Sequence, residues 1–321
     1  MGVLVEGRWQ TQDPGAPGKD GRFERAETTF RHWVTADGRP GPSGEGGFAA
    51  RPGRYHLYVS YACPWAHRTL IARLLKGIEP LVPLSVVHWR MGEQGWTFEV
   101  ADGATGDRVL GSRYLHEVYV RARPDYSGHV SVPVLWDCER QTIVSNESAD
   151  IIRMFNDAFD ALGARPGDYY PAPLRAEIDR VNARVYDTVN NGVYKAGFAT
   201  TQAAYDDAVR ALFESLDWLE DRLQRAPFVV GDRLTEADVR LFTTLVRFDP
   251  VYHGHFKCNL RRLVDYPALW RFTCDMLKVP GIADTVSIFH IKNHYYQSQP
   301  SINPHGIVAA GPLMHWPLAV I

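Results

Sequence analysis

The sequence of 321 residues predicts two domains, an α/β domain followed by an all-α domain. Three observations support this fold class. Residues Tyr55–Leu75 switch from alternating to helical periodicity, which marks a strand followed by a helix. Strand and helix patterns then continue to alternate as far as about residue 160. Beyond the stretch 166–173, which is rich in Pro and Gly, the periodic segments all have helical spacing.

The N-terminal residues 1–50 are rich in Gly, Pro and charge, and 38–47 can form neither a helix nor a regular strand. One interpretation is a disordered tail. Four scattered aromatic residues favour another, an extension that wraps a folded body: Trp9, Phe23, Phe30 and Trp33. The predicted segments are this extension (1–50), the α/β domain (51–165), and the helical domain with a C-terminal extension (166–321).

The α/β pattern begins with a strand at His56–Ser60, which alternates polar and apolar residues and includes β-branched and aromatic ones. The helix after it has apolar residues at helical intervals up to Leu75. Pro64 fits its first turn, where a missing N–H does no harm. The remaining strands are predicted at Leu81–His88, Val130–Trp136 and Gln141–Val144, and the remaining helices at Tyr114–Tyr119 and Ile151–Phe159. The resulting β-α-β…β-β-α order is the thioredoxin-like topology.

The second domain is predicted to be helical throughout. One helix begins at a capping box, in which Thr235 is the N-cap and Asp238 reaches back from the third helical position, so Asp238 is interpreted as structural. The other helices are predicted at Leu174–Val189, Ala204–Leu223, Tyr266–Leu277 and Gly281–Tyr295.

Cys63 lies where the first strand gives way to the helix. Unpaired backbone N–H groups and the helix dipole favour an anion there, and cysteines in such positions titrate below the free thiol value of about 8.5. Cys63 is therefore a candidate nucleophile, although an inert, buried cysteine is the alternative. Thioredoxin-type motifs have a second cysteine three residues later, where this chain has Ala66. A resolving thiol must come from elsewhere, and free glutathione is the obvious one.

Composition excludes several other classes of protein. A formal charge of −2 and a pI near 6.6 give no sign of a nucleic-acid or membrane partner. No apolar run approaches the roughly 20 residues that span a bilayer. The 12 histidines do not cluster at metal-ligand spacings, and the Gly-rich run lacks the phosphate-binding pattern, so neither a metal nor a nucleotide site is predicted. The four cysteines are widely spread, and a cytoplasmic location is expected.

The sequence Ala62-Cys63-Pro64-Trp65-Ala66, set between a strand and a helix, resembles the glutathione transferase superfamily. More narrowly, the chain resembles the glutathionyl-hydroquinone reductases of the Xi class. The similarity extends from Phe30-Arg31-His32-Trp33 to Ile302-Asn303-Pro304-Gly306. It implies a thioredoxin-like domain followed by the all-helical glutathione-transferase domain, a homodimer, and glutathione as co-substrate. The implied reaction converts glutathionyl-hydroquinones to hydroquinones and oxidised glutathione.

The resemblance also assigns a glutathione site. Pro133 cannot lie centrally in a strand and suggests a cis Val132–Pro133 bond, which the family has at this position. The family binds the cysteinyl part of glutathione through the main chain of the residue before that proline. It binds the γ-glutamyl group at Glu147 and Ser148, where the residues alone favour an ordinary N-cap at Asn146 or Ser145. The other implied contacts are Trp96, which could instead be a core aromatic residue, and His129, Val130 and Ser131.

Three tyrosines complete the implied site. The resemblance maps Tyr194, in a glycine-flanked break after a helix, Tyr252 and Tyr295 onto phenols that face the catalytic sulfur. A phenol stabilises a thiolate by donating a hydrogen bond, and it can protonate an aromatic carbon as a thioether breaks. Tyr194 is therefore assigned as the proton donor, and Tyr252 and Tyr295 as groups that help ionise Cys63. Tyr296 is the neighbour most easily confused with Tyr295.

Two other functions stay open at this point. An Omega-like thioltransferase or dehydroascorbate reductase would need Cys63 but not the three tyrosines. A non-catalytic interaction module of the same fold would need neither.

Overall fold

The computed structural model describes residues 2–11, 20–313 and 316. The chain divides into two compact units. Unit 1 contains residues 1–15 and 26–167, and unit 2 contains residues 16–25 and 168–321. Among the described residues, no helix combines the length and the apolar character needed to cross a membrane.

Unit 1 is an α/β unit. Its strands and helices, in chain order, are β1 (Val3–Val5), β2 (Arg8–Gln10), β3 (Tyr55–Val59), α1 (Pro64–Leu75), β4 (Leu84–Val86), α2 (Leu115–Ala122), β5 (Gly128–His129), β6 (Val134–Asp137), β7 (Thr142–Ser145) and α3 (Ser148–Asp157). The main sheet has the strand order β4-β3-β6-β7. Only β3 and β4 are parallel in it, and α1 makes the crossover between them. This is the predicted thioredoxin-like arrangement.

The junction between β3 and α1 follows from its residues. The side chains of β3 are all buried, because the strand is central in the sheet. Pro64 occupies the first turn of α1, and Cys63 is the N-cap residue with extended backbone angles. The predicted position of Cys63 at the start of a helix is confirmed.

Two predicted strands are shorter in the structure. Leu81–His88 forms a strand only at Leu84–Val86, because the N–H of His88 donates to the carbonyl of Thr97, in the segment between β4 and α2. The strand predicted at Val130–Trp136 begins only at Val134, since Pro133 has no N–H for a sheet ladder. The helix predicted as far as Phe159 ends at Asp157.

A small second sheet, with the order β2-β1-β5, was not predicted. Its strands have three, three and two residues, too few to show alternation. Further along the N-terminal extension, beyond β2, Phe30 is buried and stacks on Tyr126, with ring centroids 5.4 Å apart. Arg31 pairs with Asp150 at the start of α3. Packing and ion pairing therefore hold this part of the extension within unit 1.

All regular secondary structure in the described part of unit 2 is helical. Its α-helices are α4 (Arg175–Val185), α5 (Gly192–Gly197), α6 (Gln202–Arg225), α7 (Glu236–Leu245), α8 (Pro267–Lys278) and α9 (Ile288–Gln297). Two π-helical turns, Tyr186–Asn190 and Phe248–Tyr252, replace regular helix. The helix predicted over Gly281–Tyr295 is broken, because Ser287 caps a new helix by accepting a hydrogen bond from His290.

The capping box of α7 is confirmed, and its Asp238 is fully buried. The carboxylate accepts hydrogen bonds from the N–H of Val229 (2.7 Å), the N–H of Thr235 (2.8 Å) and the Thr235 hydroxyl (2.9 Å). Burial raises the pKa of Asp238 from 3.8 to about 6, against the opposing effect of these bonds. The folded state therefore holds this proton more tightly than the unfolded state does, so the residue's contribution to stability falls as pH rises between those values.

Asp238→Asn is expected to lower the free energy of unfolding by about 1–3 kcal/mol, because its amide N–H groups face donors that lose their acceptor. The loss should be larger at about pH 4.5 than at about pH 7. At the lower pH, protonation of Asp238 stabilises the folded wild-type protein, whereas the amide of the variant does not titrate. Thermal unfolding at both pH values measures it. Asp265→Asn is the matched control, since Asp265 caps Arg262 in the same way but is exposed. Equal effects of the two variants would contradict the role given to burial.

Candidate active site

Cys63 presents its sulfur at the start of α1. The residue is partly exposed, and Sγ lies 3.5 Å from the N–H of Ala66, which donates to it. Sγ is also 3.5 Å from the carbonyl oxygen of Val132. A sulfur that accepts a helix N-terminal N–H and remains accessible has the setting of a reactive thiol.

The other three cysteines have different settings. Burial raises the pKa of Cys138, Cys258 and Cys274. Cys258 is completely buried. All four cysteines are free thiols. Cys63 is thus the cysteine whose surroundings favour chemistry.

The segment opposite Cys63 has the predicted cis peptide bond between Val132 and Pro133. Before it, the main chain of Ser131 is occupied by Tyr119, whose hydroxyl donates to the Ser131 carbonyl (2.7 Å) and accepts from its N–H (3.2 Å). The hydrogen bonds of the described residues include none from the N–H of Val132. The N–H of Val132 thus has no partner among these bonds, whereas the N–H of Ser131 is occupied and Pro133 has none.

The other residues predicted to bind glutathione in this stretch lie just before Ser131. His129 is in β5, where it pairs with Val3, and its carbonyl accepts from Tyr126 (3.1 Å). Val130, the next residue, is partly buried. Trp96 is only 7% exposed and belongs to the hydrophobic core of unit 1, which is the alternative considered for it.

Glu147 and Ser148 lie at the start of α3. Glu147 is the N-cap and accepts from the N–H of Ala149 (3.0 Å), so a cap at Asn146 or Ser145 is wrong. Asn146 instead accepts from the N–H of Phe30 and donates to Tyr119. Thr28, from the N-terminal extension, donates to the second carboxylate oxygen of Glu147 (3.1 Å).

Arg68 is a site residue that sequence reasoning missed. Its guanidinium is 1% exposed and donates to the Ser148 hydroxyl (3.3 Å). It also lies 4.5 Å above the ring of Trp65. A buried cation beside a helix N-terminus suits a carboxylate ligand. No signal in the sequence separates Arg68 from the other polar residues of α1, which are His67, Thr69 and Arg73.

In unit 2, the three predicted tyrosines come together through their hydroxyls. Tyr295 in α9 is central, with its oxygen 2.5 Å from that of Tyr194 and 2.9 Å from that of Tyr252. Tyr252 ends a π-helical turn, and Tyr194 lies within α5, so the predicted break at Tyr194 is wrong. Tyr252 and Tyr295 are buried, whereas Tyr194 is partly exposed.

The packing around Tyr252 and Tyr295 keeps these two phenols protonated. Burial raises the pKa of Tyr252 and of Tyr295 well above the ordinary value, so both can donate hydrogen bonds at neutral pH. Phe256 packs against all three rings, with centroids 5.5 to 5.6 Å away. A side chain at Gly197 would collide with Phe256, since its first carbon would lie 2.3 Å from that ring. Tyr296 instead packs on His255, which separates it from the hydroxyl network.

Comparisons with known proteins identify the two domains and their family. The glutathione S-transferase N-terminal domain family matches residues 62–158, and the C-terminal domain family matches residues 202–273. The glutathionyl-hydroquinone reductase YqjG of Escherichia coli is 57% identical over 97% of this chain and 95% of its own. The glutathionyl-hydroquinone reductase PcpF of Sphingobium chlorophenolicum is 52% identical over 99% and 98%.

Solved structures give the same relationship. The glutathione-bound structure of the Escherichia coli protein superposes with a TM-score of 0.91, covering 98% of this chain and 96% of that one at 56% identity. A Xi-class glutathione transferase from Natrialba magadii has a TM-score of 0.92 at 47% identity, covering 99% and 96%. The fold is that of glutathione transferases. The chain belongs, within that superfamily, to the Xi-class glutathionyl-hydroquinone reductases.

Proposed function

We propose that this enzyme reduces glutathionyl-hydroquinones to hydroquinones at the expense of glutathione, with Cys63 as nucleophile. The observation that carries the proposal is the accessible Cys63 sulfur, held between the Ala66 N–H and the Val132 carbonyl. It is supported by relatives named glutathionyl-hydroquinone reductases that match nearly the whole chain.

The glutathione part of the substrate binds beside Cys63 in this scheme. The N–H of Val132 pairs with its main chain, as when a strand adds to a sheet edge. At the start of α3, Ser148 and the buried cation of Arg68 hold the γ-glutamyl carboxylate, and Glu147 pairs with the ammonium group. Trp96 and the segment 129–131 remain proposed contacts.

In the first chemical step, the Cys63 thiolate attacks the sulfur that joins glutathione to the aromatic ring. A bond forms between that sulfur and Sγ while the bond from sulfur to carbon breaks. The electron pair of the broken bond stays on carbon, which takes a proton from Tyr194, and the hydroquinone leaves. Cys63 is then joined to glutathione in a mixed disulfide.

A second glutathione completes the cycle. Its thiolate attacks the glutathione sulfur of the mixed disulfide, releasing oxidised glutathione and the Cys63 thiolate. The proton it gives up restores Tyr194. Ala66, in place of a second cysteine, leaves no local thiol to compete with this step.

The tyrosine cluster suits a proton donor. Tyr194 is the partly exposed member, and its hydroxyl bonds to Tyr295, which bonds to Tyr252. Neighbouring phenols that stay protonated stabilise the negative charge that Tyr194 acquires when it gives up its proton. The help of Tyr252 and Tyr295 in ionising Cys63 stays a prediction.

Steady-state assays test the function. The enzyme is supplied with glutathione and a panel of glutathionyl-hydroquinones, and oxidised glutathione and hydroquinone are measured together. One molecule of each is expected per turnover. Release of oxidised glutathione only from small mixed disulfides or dehydroascorbate would favour the Omega-like activity. No turnover of any of these substrates would favour the non-catalytic module and overturn the proposal.

Glu147→Gln is expected to raise KM for glutathione and for the substrate by roughly tenfold while leaving kcat nearly unchanged. The amide oxygen still accepts from Ala149, so the helix cap survives, but the negative charge that pairs with the ammonium group is lost. Initial rates at varied glutathione measure the effect. Glu139→Gln, at an exposed site in unit 1, is the control. A wild-type KM in Glu147→Gln would remove the residue from the binding site.

Two further assignments go with the proposal. A homodimer is proposed from the family resemblance, and light scattering of the purified enzyme tests it. A cytoplasmic location is proposed because all four cysteines are free and the reaction needs reduced glutathione, which that compartment maintains. A purely monomeric species, or fractionation into an oxidising compartment, would contradict these assignments.

A further inference from the structure

We infer that Arg25, carried by an N-terminal strap formed by residues 20–25, is a positioning residue that holds the ring of the proton donor Tyr194. The inference rests on the proposed function, because it gives Arg25 a role only if Tyr194 protonates the leaving carbon. The strap belongs to unit 2, although the residues on both sides of 16–25 belong to unit 1.

The strap is fastened at the start of α6. The N–H of Thr200 donates to the carbonyl of Gly21 (3.0 Å), and the hydroxyl of Thr201 donates to that of Asp20 (3.0 Å). Arg22 pairs with Asp207 at 2.7 Å. Gly21 has a φ of +78°, and a side chain there would lie within 3 Å of both threonines. Glycine permits this close approach to the two threonines, and the hydrogen bonds and the ion pair then fix the path of the strap.

Beyond this anchor, the strap covers Tyr194. The Arg25 guanidinium carbon lies 4.7 Å from the centre of the Tyr194 ring, within the range of a cation–π contact. The Nε of Arg25 donates to the side-chain oxygen of Asn191 (2.7 Å), which fixes the guanidinium above α5. Phe23 stacks on both Phe198 and Tyr194, at 5.5 and 6.2 Å.

These contacts fall on the one tyrosine of the cluster that is not enclosed by the core of unit 2. Tyr252 and Tyr295 are held by burial and by the hydrogen bond between their hydroxyls. Tyr194 is partly exposed, so its ring needs another restraint to keep its hydroxyl against Tyr295. A cation over the ring supplies that restraint, and it also favours the negative charge that appears on the ring when the proton leaves.

Arg25→Gln is expected to lower kcat for a glutathionyl-hydroquinone by roughly fivefold, with KM unchanged. Arg25→Lys should recover most of the loss, because an ammonium group can also bind the ring face and reach Asn191. Arg210→Gln, which removes an exposed cation from α6, is the control. Exchange of glutathione with a small mixed disulfide should stay at the wild-type rate in every variant, since no carbon is protonated.

A double-mutant cycle gives the decisive reading. In the Tyr194→Phe enzyme, Arg25→Gln should have almost no further effect, because the group it positions no longer carries a proton. An equal loss in both backgrounds, a change in KM alone, or wild-type kcat in Arg25→Gln would overturn the inference. Failure of the proposed function is distinguishable, because the wild-type enzyme would then not turn over the substrate at all.

Discussion

Cys63→Ser is expected to lower kcat for glutathionyl-hydroquinone reduction by at least about a thousandfold, because serine cannot form the mixed disulfide. The hydroxyl still fits the N-cap position and accepts from the Ala66 N–H, so α1 keeps its start. Glutathione binding, measured by calorimetry, should therefore remain within about threefold of wild type. Oxidised glutathione release by both proteins measures the loss.

Alkylation supplies an independent check on the same residue. Iodoacetamide at neutral pH should label one thiol of the wild-type enzyme quickly, because burial raises the pKa of Cys138, Cys258 and Cys274. Peptide mass spectrometry identifies it, and glutathione should protect it. Rapid labelling of another cysteine, or substantial activity in Cys63→Ser, would show that the nucleophile lies elsewhere.

Tyr194→Phe is expected to reduce kcat by roughly 10²–10³-fold, the size usual for loss of a general acid. Phenylalanine keeps the contacts of the ring with Phe198 and Phe256, so the variant removes only the hydroxyl, with its proton and its hydrogen bond to Tyr295. Exchange with a small mixed disulfide should be unaffected, because its leaving sulfur needs no proton on carbon. The ratio of the two activities is the measurement.

Tyr296→Phe is the matched control for that variant. Tyr296 is buried beside Tyr295 in α9, but its ring packs on His255 outside the hydroxyl network. It should keep wild-type kcat on both substrates. Equal losses in Tyr194→Phe and Tyr296→Phe would mean that general packing, rather than proton transfer, explains the first.

Much of the fold was predictable because its signals are local. Residues 55–75 alone specify β3, the N-cap at Cys63 and α1, since periodicity, proline and the polar-to-apolar pattern agree there. The capping box of α7 is equally local. The sequence also led to the identity of the three tyrosines, but only through the family resemblance, because no spacing relates residues so far apart.

The remaining features depend on tertiary contacts. The sheet of β1, β2 and β5 joins residues about 120 apart, and its short strands leave no periodic trace. Arg68 looks like an ordinary charged helix residue until its burial is known. Helix α9 is shorter than its periodicity suggested because Ser287 starts a new cap inside the pattern. In each case a distant or competing partner outweighs the local preference.

The two hydrogen bonds between Tyr119 and Ser131 limit where a peptide can form main-chain hydrogen bonds at the edge beside Cys63. A strand edge of several free residues lets a peptide shift by two positions and still satisfy its hydrogen bonds. Here a phenol closes the residue before Val132 and a proline follows it. An extended ligand that pairs with Val132 is therefore expected to be unable to continue that pairing at Ser131 or Pro133, which would fix its position along the edge.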